Sequence, residues 1–93
     1  MISTNAYFDG NVKSLGYTST TGQSTIGVME AGEYEFGTST HETMIVIEGE
    51  MQVKLPDTNE WHTYKAGESY QIDADKKFQV KVSEQTSYLC KYK

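Results

Sequence analysis

The sequence predicts an all-β domain, and three observations lead there. Strand formers dominate: eleven threonines, seven tyrosines, six valines and five isoleucines stand against three leucines and four alanines, a β composition by propensity. Apolar and polar residues alternate: Phe78, Val80 and Val82 with Lys77, Gln79 and Lys81, Met51, Val53 and Leu55 with Glu50, Gln52 and Lys54, and Tyr70 and Ile72 with Ser69, Gln71 and Asp73. Each alternation gives a strand one buried and one wet face. Glycines and turn residues divide these segments at close, near-regular intervals, as in a sandwich or barrel rather than a parallel sheet.

Taken in order, strands are expected over 12–20 and 23–31, separated at Thr-Thr-Gly-Gln around Gly22, and over 34–39, opened by Ala-Gly-Glu around Gly32. Strands 43–48 and 50–55 meet at Glu-Gly-Glu around Gly49. The run Pro56-Asp57-Thr58-Asn59 forms a longer turn before 61–65, Gly67 separates that strand from 69–73, and 77–83 and 86–92 complete the set. Residues 1–93 form one domain, with no linker, low-complexity segment or internal repeat. The strand Thr43-Met44-Ile45-Val46-Ile47 breaks the alternation, being apolar on both faces. One face belongs to the core; a second copy of the chain is the simplest cover for the other, which predicts a homodimer.

The net charge of −5 and the absence of arginine, all eight basic residues being lysine, argue against a nucleic-acid partner. The longest apolar run, Met44 to Ile47, is too short to span a membrane, and Met1 to Gly10 lacks the pattern of a secretory signal. With a single cysteine, Cys90, no intrachain disulfide forms. A cytoplasmic protein without membrane or nucleic-acid partners is expected.

Few residues advertise chemistry. His41 and His62 belong to no His-x-His or His-Glu-x-x-His arrangement and read as exposed histidines. Tyr34 and Phe36 share one strand face; Tyr88, Cys90 and Tyr92 share another, with Cys90 a small buried hydrophobe between the rings. Lys91 falls on the opposite face from Tyr88 and Tyr92, where periodicity favours a solvated charge over a phosphate anchor. No Gly-rich phosphate loop is present.

The stretch Gly32 to Gly49, with the later Ala66-Gly67-Glu68, resembles the two motifs of cupins, and implies a cupin-type jelly-roll barrel. Metal-binding cupins carry a glutamate seven residues before a glycine, and counting back from Gly49 reaches Glu42. The paired histidines that should precede it are replaced by Gly37, Thr38, Ser39 and Thr40, and the position of the second motif's histidine falls near Phe78. One carboxylate without imidazoles is a poor transition-metal site, so the expectation is a barrel with no metal. Spacing alone leaves Glu42 equally able to face the barrel interior or water.

Longer segments carry a closer resemblance. Asn5-x-Tyr7-Phe8, Gly10-x-Val12-Lys13-Ser14, Gly27-Val28-Met29, Gly32-Glu33-Tyr34-x-Phe36, Glu42-x-Met44-x-Val46-Ile47-x-Gly49 and Ser87-Tyr88-Leu89-Cys90-x-Tyr92 together resemble the pyrimidine/purine nucleoside phosphorylase family, small single-domain cupin proteins of about this length. The resemblance implies an enzyme that converts a purine or pyrimidine nucleoside and inorganic phosphate to free base and ribose 1-phosphate, as a homodimer and with no cofactor beyond phosphate as co-substrate. The family's closing segment tends to read Cys-Arg-Tyr where this chain has Cys90-Lys91-Tyr92. Lysine holds phosphate as a point charge, without arginine's two-pronged fork.

Cleaving a bond between ribose and base builds positive charge on the sugar ring, as in glycoside hydrolysis. A carboxylate would stabilise that charge and bind the ribose hydroxyls; Glu42 is the candidate, with Glu30 behind it. Lys91, Thr43, Ser87 and backbone N–H groups are the candidate phosphate donors. Tyr34, Phe36, Phe78 and Tyr88 are the candidate walls for the base, and Met44 is a further candidate substrate-binding residue. The competing reading is a non-enzymatic cupin that binds a sugar or nucleotide as sensor or carrier. A third, a metal-dependent cupin oxygenase or isomerase, is disfavoured by the missing histidine pair.

Overall fold

The computed structural model describes residues 1–92. Ten strands follow one another: β1 (Ser3–Tyr7), β2 (Val12–Ser19), β3 (Gly22–Met29), β4 (Gly32–Gly37), β5 (Glu42–Glu48), β6 (Glu50–Lys54), β7 (Trp61–Lys65), β8 (Ser69–Ile72), β9 (Lys77–Val82) and β10 (Thr86–Tyr92), with one short 3-10 turn at Phe8–Gly10. All strand pairs are antiparallel. They form a six-stranded sheet in the order β1-β2-β3-β10-β5-β8 and a four-stranded sheet in the order β4-β9-β6-β7. The expected all-β jelly roll is present, but the strand ladders do not run around it as a closed barrel; two sheets face each other across one core.

Nine strands fall where the alternation and punctuation put them, and β1 is additional. Its sequence Ser-Thr-Asn-Ala-Tyr has no apolar alternation, because it is an edge strand with no buried residue. It owes its conformation to five residue pairings with β2, Ser3↔Gly16 to Tyr7↔Val12. Among the described residues no helix is long and apolar enough to cross a membrane.

The core lies between the sheets. Val12, Met29, Met51, Val53 and Val80 have no exposed surface at all, and Val46 and Ile72 are nearly as buried. Burying one such side chain contributes about 1.5–3 kcal/mol, so the layer between the sheets is the main source of stability. Gly49, at φ 94°, turns the chain from β5 in the larger sheet to β6 in the smaller; a Cβ there would meet the Thr86 hydroxyl at 2.7 Å. Thr38 fixes the preceding crossover, between β4 and β5. Its N–H donates to the Lys76 carbonyl, its hydroxyl donates to the Asp73 carbonyl at 2.7 Å, and that hydroxyl accepts from the Lys76 N–H at 3.0 Å. This clamp sets where β5 begins, and with it the position of Glu42.

The strand that is apolar on both faces behaves as its composition dictates. Met44 and Val46 are buried between the sheets, whereas Ile45 and Ile47 look outward, Ile47 with about half its surface exposed. Register carries that outward face across four strands, through Leu15↔Ile26, Ile26↔Leu89 and Leu89↔Ile45. Leu15, Ile26 and Val28 are each more than two-fifths exposed.

Candidate active site

Register builds the site. On the inner face of the larger sheet, Ser14 pairs with Gly27 and Gly27 with Tyr88; Cys90 pairs with Met44, and Tyr92 with Glu42. These residues come from four neighbouring strands and converge at one end of the core. The smaller sheet contributes Phe36 and Phe78, which pair with each other between β4 and β9. Tyr7 and Phe8 close the space from the end of β1, and Glu35 and Gly37 complete the rim. The cavity, open to solvent on one side, has a volume of about 490 Å³, within the ~300–1,000 Å³ usual for small-molecule sites.

Three kinds of chemistry meet in it. Glu42 is a half-buried carboxylate whose Oε1 accepts a hydrogen bond from the Cys90 thiol at 3.4 Å. Burial raises its pKa above the ordinary carboxylate value, opposed by the Cys90 hydrogen bond and by neighbouring His41. The thiol is pushed up to about 12, by burial first and then by the Glu42 charge, so it stays a neutral donor. Phenol hydroxyls form the second group. Burial pushes Tyr88 up to about 12 and raises Tyr92 as well, so both remain protonated donors at neutral pH. The Tyr92 hydroxyl also shares a hydrogen bond with the Thr25 hydroxyl at 3.1 Å. The third group is aromatic: Phe36 and Phe78 stand 5.6 Å apart between centroids at 30°, and Phe8 meets Phe36 at 5.6 Å, nearly edge-on at 87°.

Room for Tyr88 comes from glycine. A Cβ on Gly27 would lie 2.5 Å from the Tyr88 hydroxyl and 2.6 Å from the ring carbon that bears it. Gly27 thus lets the ring lie flat across β3 and carry its hydroxyl toward β2.

Of the residues singled out in the sequence, the cavity brings together Glu42, Phe36, Met44, Phe78 and Tyr88. The others lie elsewhere. Lys91 and Thr43 pair with each other across β10 and β5, with side chains on the opposite face of the sheet from Cys90 and Met44. Ser87 shares that outward parity. Glu30 is exposed beyond the end of β3 and accepts a hydrogen bond from Gln85 at 3.0 Å. Tyr34 is buried in the core, and its hydroxyl donates to the Glu30 carbonyl at 2.6 Å. Residues that sequence reasoning did not assign also line the cavity: Tyr7, Phe8, Ser14, Glu35, Gly37, Cys90 and Tyr92. The parity of β10 had already put Cys90 and Tyr92 beside Tyr88, and that signal pointed to them.

A cupin fold raises the question of a metal. Glu42 is bonded to a protonated thiol and surrounded by hydroxyls and rings. Among the described residues no three His, Cys, Asp or Glu side chains converge as a ligand set. His41 lies beside the site with Nε2 3.1 Å from Gln71 Oε1, outside the cavity lining. This donor set does not fit a resident transition metal.

The pyrimidine/purine nucleoside phosphorylase family model matches residues 2–92. A pyrimidine/purine nucleoside phosphorylase from Pseudomonas savastanoi pv. phaseolicola is 54% identical over 93 residues, covering 100% of both chains. A crystal structure of a Vibrio parahaemolyticus protein of unknown function superposes with a TM-score of 0.96 at 41% identity, covering 100% of this chain and 99% of that one. An RmlC-like cupin from Shewanella frigidimarina, 13% identical and covering 97% of this chain and 81% of that one, superposes with a TM-score of 0.72, which identifies the fold as that of a cupin. With the match running through every segment that lines the cavity, the chain belongs to the pyrimidine/purine nucleoside phosphorylase family.

Proposed function

We propose that this protein is a nucleoside phosphorylase that accepts both purine and pyrimidine nucleosides and releases free base and ribose 1-phosphate. The observation that carries the reading is the cavity itself. In a chain of this family, it joins one half-buried carboxylate, several neutral hydroxyl donors and an aromatic wall. A phosphate oxygen forms the new bond to the anomeric carbon. The old bond's electron pair leaves with the base nitrogen, and the proton carried by phosphate ends on the base. Glu42 faces the sugar, where its charge opposes the positive charge that develops on the ring. Hydroxyls of Ser14, Tyr7, Tyr88 and Tyr92 meet the phosphate, since no lysine lines the cavity among the described residues. Aromatic rings stack on any base, so the wall supports broad specificity.

The working form is a homodimer joined through the larger sheet's outer face. The row Leu15-Ile26-Leu89-Ile45, flanked by Val28 and Ile47, supports this, because apolar patches of such extent commonly mark interfaces. The buried free thiol of Cys90 is consistent with a reducing cytoplasm. The test is phosphorolysis of uridine and adenosine, each with and without phosphate. Free base and ribose 1-phosphate should accumulate only when phosphate is present. No release from either nucleoside by folded protein would overturn the reading in favour of a ligand-binding cupin.

A further inference from the structure

We propose that Phe8 is the stacking residue that sets nucleoside affinity in this site, an inference that rests on the phosphorylase reading and names the subsite for the base. The motivation is a conformation that the chain has no local reason to adopt. The turn Tyr7-Phe8-Asp9-Gly10-Asn11 joins β1 to β2 and holds three successive residues at positive φ: Phe8 at 53°, Asp9 at 57° and Gly10 at 87°. Glycine adopts this region freely and aspartate tolerates it, but a bulky aromatic residue rarely does. Reversing the chain does not require phenylalanine here. The turn is already closed by the Asn11 N–H donating to the Phe8 carbonyl at 3.1 Å, and anchored by the Glu30 N–H donating to the Asn11 carbonyl at 2.7 Å.

Nor does the core require it. No residue of the turn is buried, and Phe8 keeps 43% of its surface exposed. What the left-handed backbone achieves is placement. The ring packs on Tyr34 at 5.0 Å and stands edge-on to Phe36, while lining the cavity. Phe8 and Phe36 thereby form a right-angled aromatic corner at the entrance, continued inward by Phe78. Strain held at a partly exposed ring beside a cavity is the pattern of a ligand contact. The chemistry of the corner selects a flat, uncharged π system. No asparagine, glutamine or arginine lines the cavity among the described residues to read a base edge, so the corner admits purines and pyrimidines alike.

The test substitutes Phe8→Gly, which relieves the backbone and removes the ring, alongside Phe8→Leu and Phe8→Trp. Nucleoside binding is measured by calorimetry without phosphate, together with KM for nucleoside and for phosphate. Phe8→Gly and Phe8→Leu should weaken uridine and adenosine binding by roughly 5- to 150-fold, the range for one lost base stack, with KM for phosphate within about twofold of wild type. Phe8→Trp should retain nucleoside binding, and the melting temperature of Phe8→Gly should equal or exceed that of wild type. An active Phe8→Leu enzyme with unchanged nucleoside KM would overturn the role of Phe8 and leave the phosphorylase reading intact. Wild-type protein that binds nucleosides through Phe8 without phosphorolysis would do the reverse. Wild-type protein that binds no nucleoside would overturn both.

Discussion

Replacing Glu42 by glutamine tests the centre of the mechanism, because it should move activity and stability in opposite directions. Glutamine keeps the length of the side chain and an oxygen that accepts from the Cys90 thiol, now 3.4 Å from Oε1. Only the charge is lost. A full charge pair at 4 Å in an effective dielectric of 20 is worth about 4 kcal/mol. With between half and a full charge developed on the sugar, the loss is about 2–4 kcal/mol, or roughly 30- to 1,000-fold in turnover at saturating nucleoside and phosphate. Stability responds the other way. Burial raises the Glu42 pKa in the folded protein above the ordinary carboxylate value of 4.5, so the folded state binds the proton more tightly than the unfolded state does. Glu42's contribution to stability is therefore greatest below pH 4.5, falls as pH rises from there through the raised folded-state pKa, and then levels off. Glu42→Gln lacks this decline and should melt at a higher temperature than wild type at neutral pH, the two converging in acid. Initial rates of base release and melting curves across the acid-to-neutral range give both quantities. Turnover within about threefold of wild type would remove Glu42 from the chemistry, and a lower melting temperature at neutral pH would refute the electrostatic account of its burial.

The remaining predictions concern its neighbours. Cys90→Ala removes the donor that lowers the Glu42 pKa, so the acid limb of the pH profile of kcat/KM should move to higher pH, and Cys90→Ser should return it toward wild type. The relevant surroundings are Tyr88 and Tyr92 on β10, Tyr70 on β8, Tyr7 on β1, Glu35 on β4 and His41 before β5; a profile identical in all three proteins would refute the coupling. Gly27→Ala drives a Cβ into the Tyr88 ring and should cost about 1–3 kcal/mol of stability, read from denaturant unfolding. It should also raise the KM for nucleosides, whereas Gly16→Ala, whose Cβ crowds the exposed Ser3 hydroxyl at 2.6 Å and meets Thr25 and Asn5 at ordinary contact distance, should be mild by both measures. Ile26→Lys puts a charge into the outer apolar row and should convert the proposed dimer to a monomer by sedimentation velocity; a dimer retained in the variant would locate the interface elsewhere, and a monomeric wild type would refute the dimer.

The alternation of Phe78-Val80-Val82, Met51-Val53 and Tyr70-Ile72 was legible because each strand has one dry face, and a side-chain period of two records that directly. The same rule put Cys90 and Tyr92 beside Tyr88 and turned Lys91 outward. Where both faces are apolar or both polar the rule is silent. That is why β1, a polar edge strand, was invisible, and why Glu42 could not be oriented from Thr43-Met44-Ile45-Val46-Ile47. Glu42 faces inward because β5 pairs with β10 in the register Tyr92↔Glu42, and that register joins residues fifty positions apart. Composition, periodicity and the order of motifs thus determined by themselves an all-β cupin-type chain, nine of the ten strands described and the family it resembles. Only the tertiary structure decided that Ser14, Glu42, Tyr88 and Phe8 meet in one cavity while Glu30 and Thr43 lie outside it. Pairing between distant strands and a left-handed turn are fixed by global packing, and neither leaves a periodic trace in local sequence.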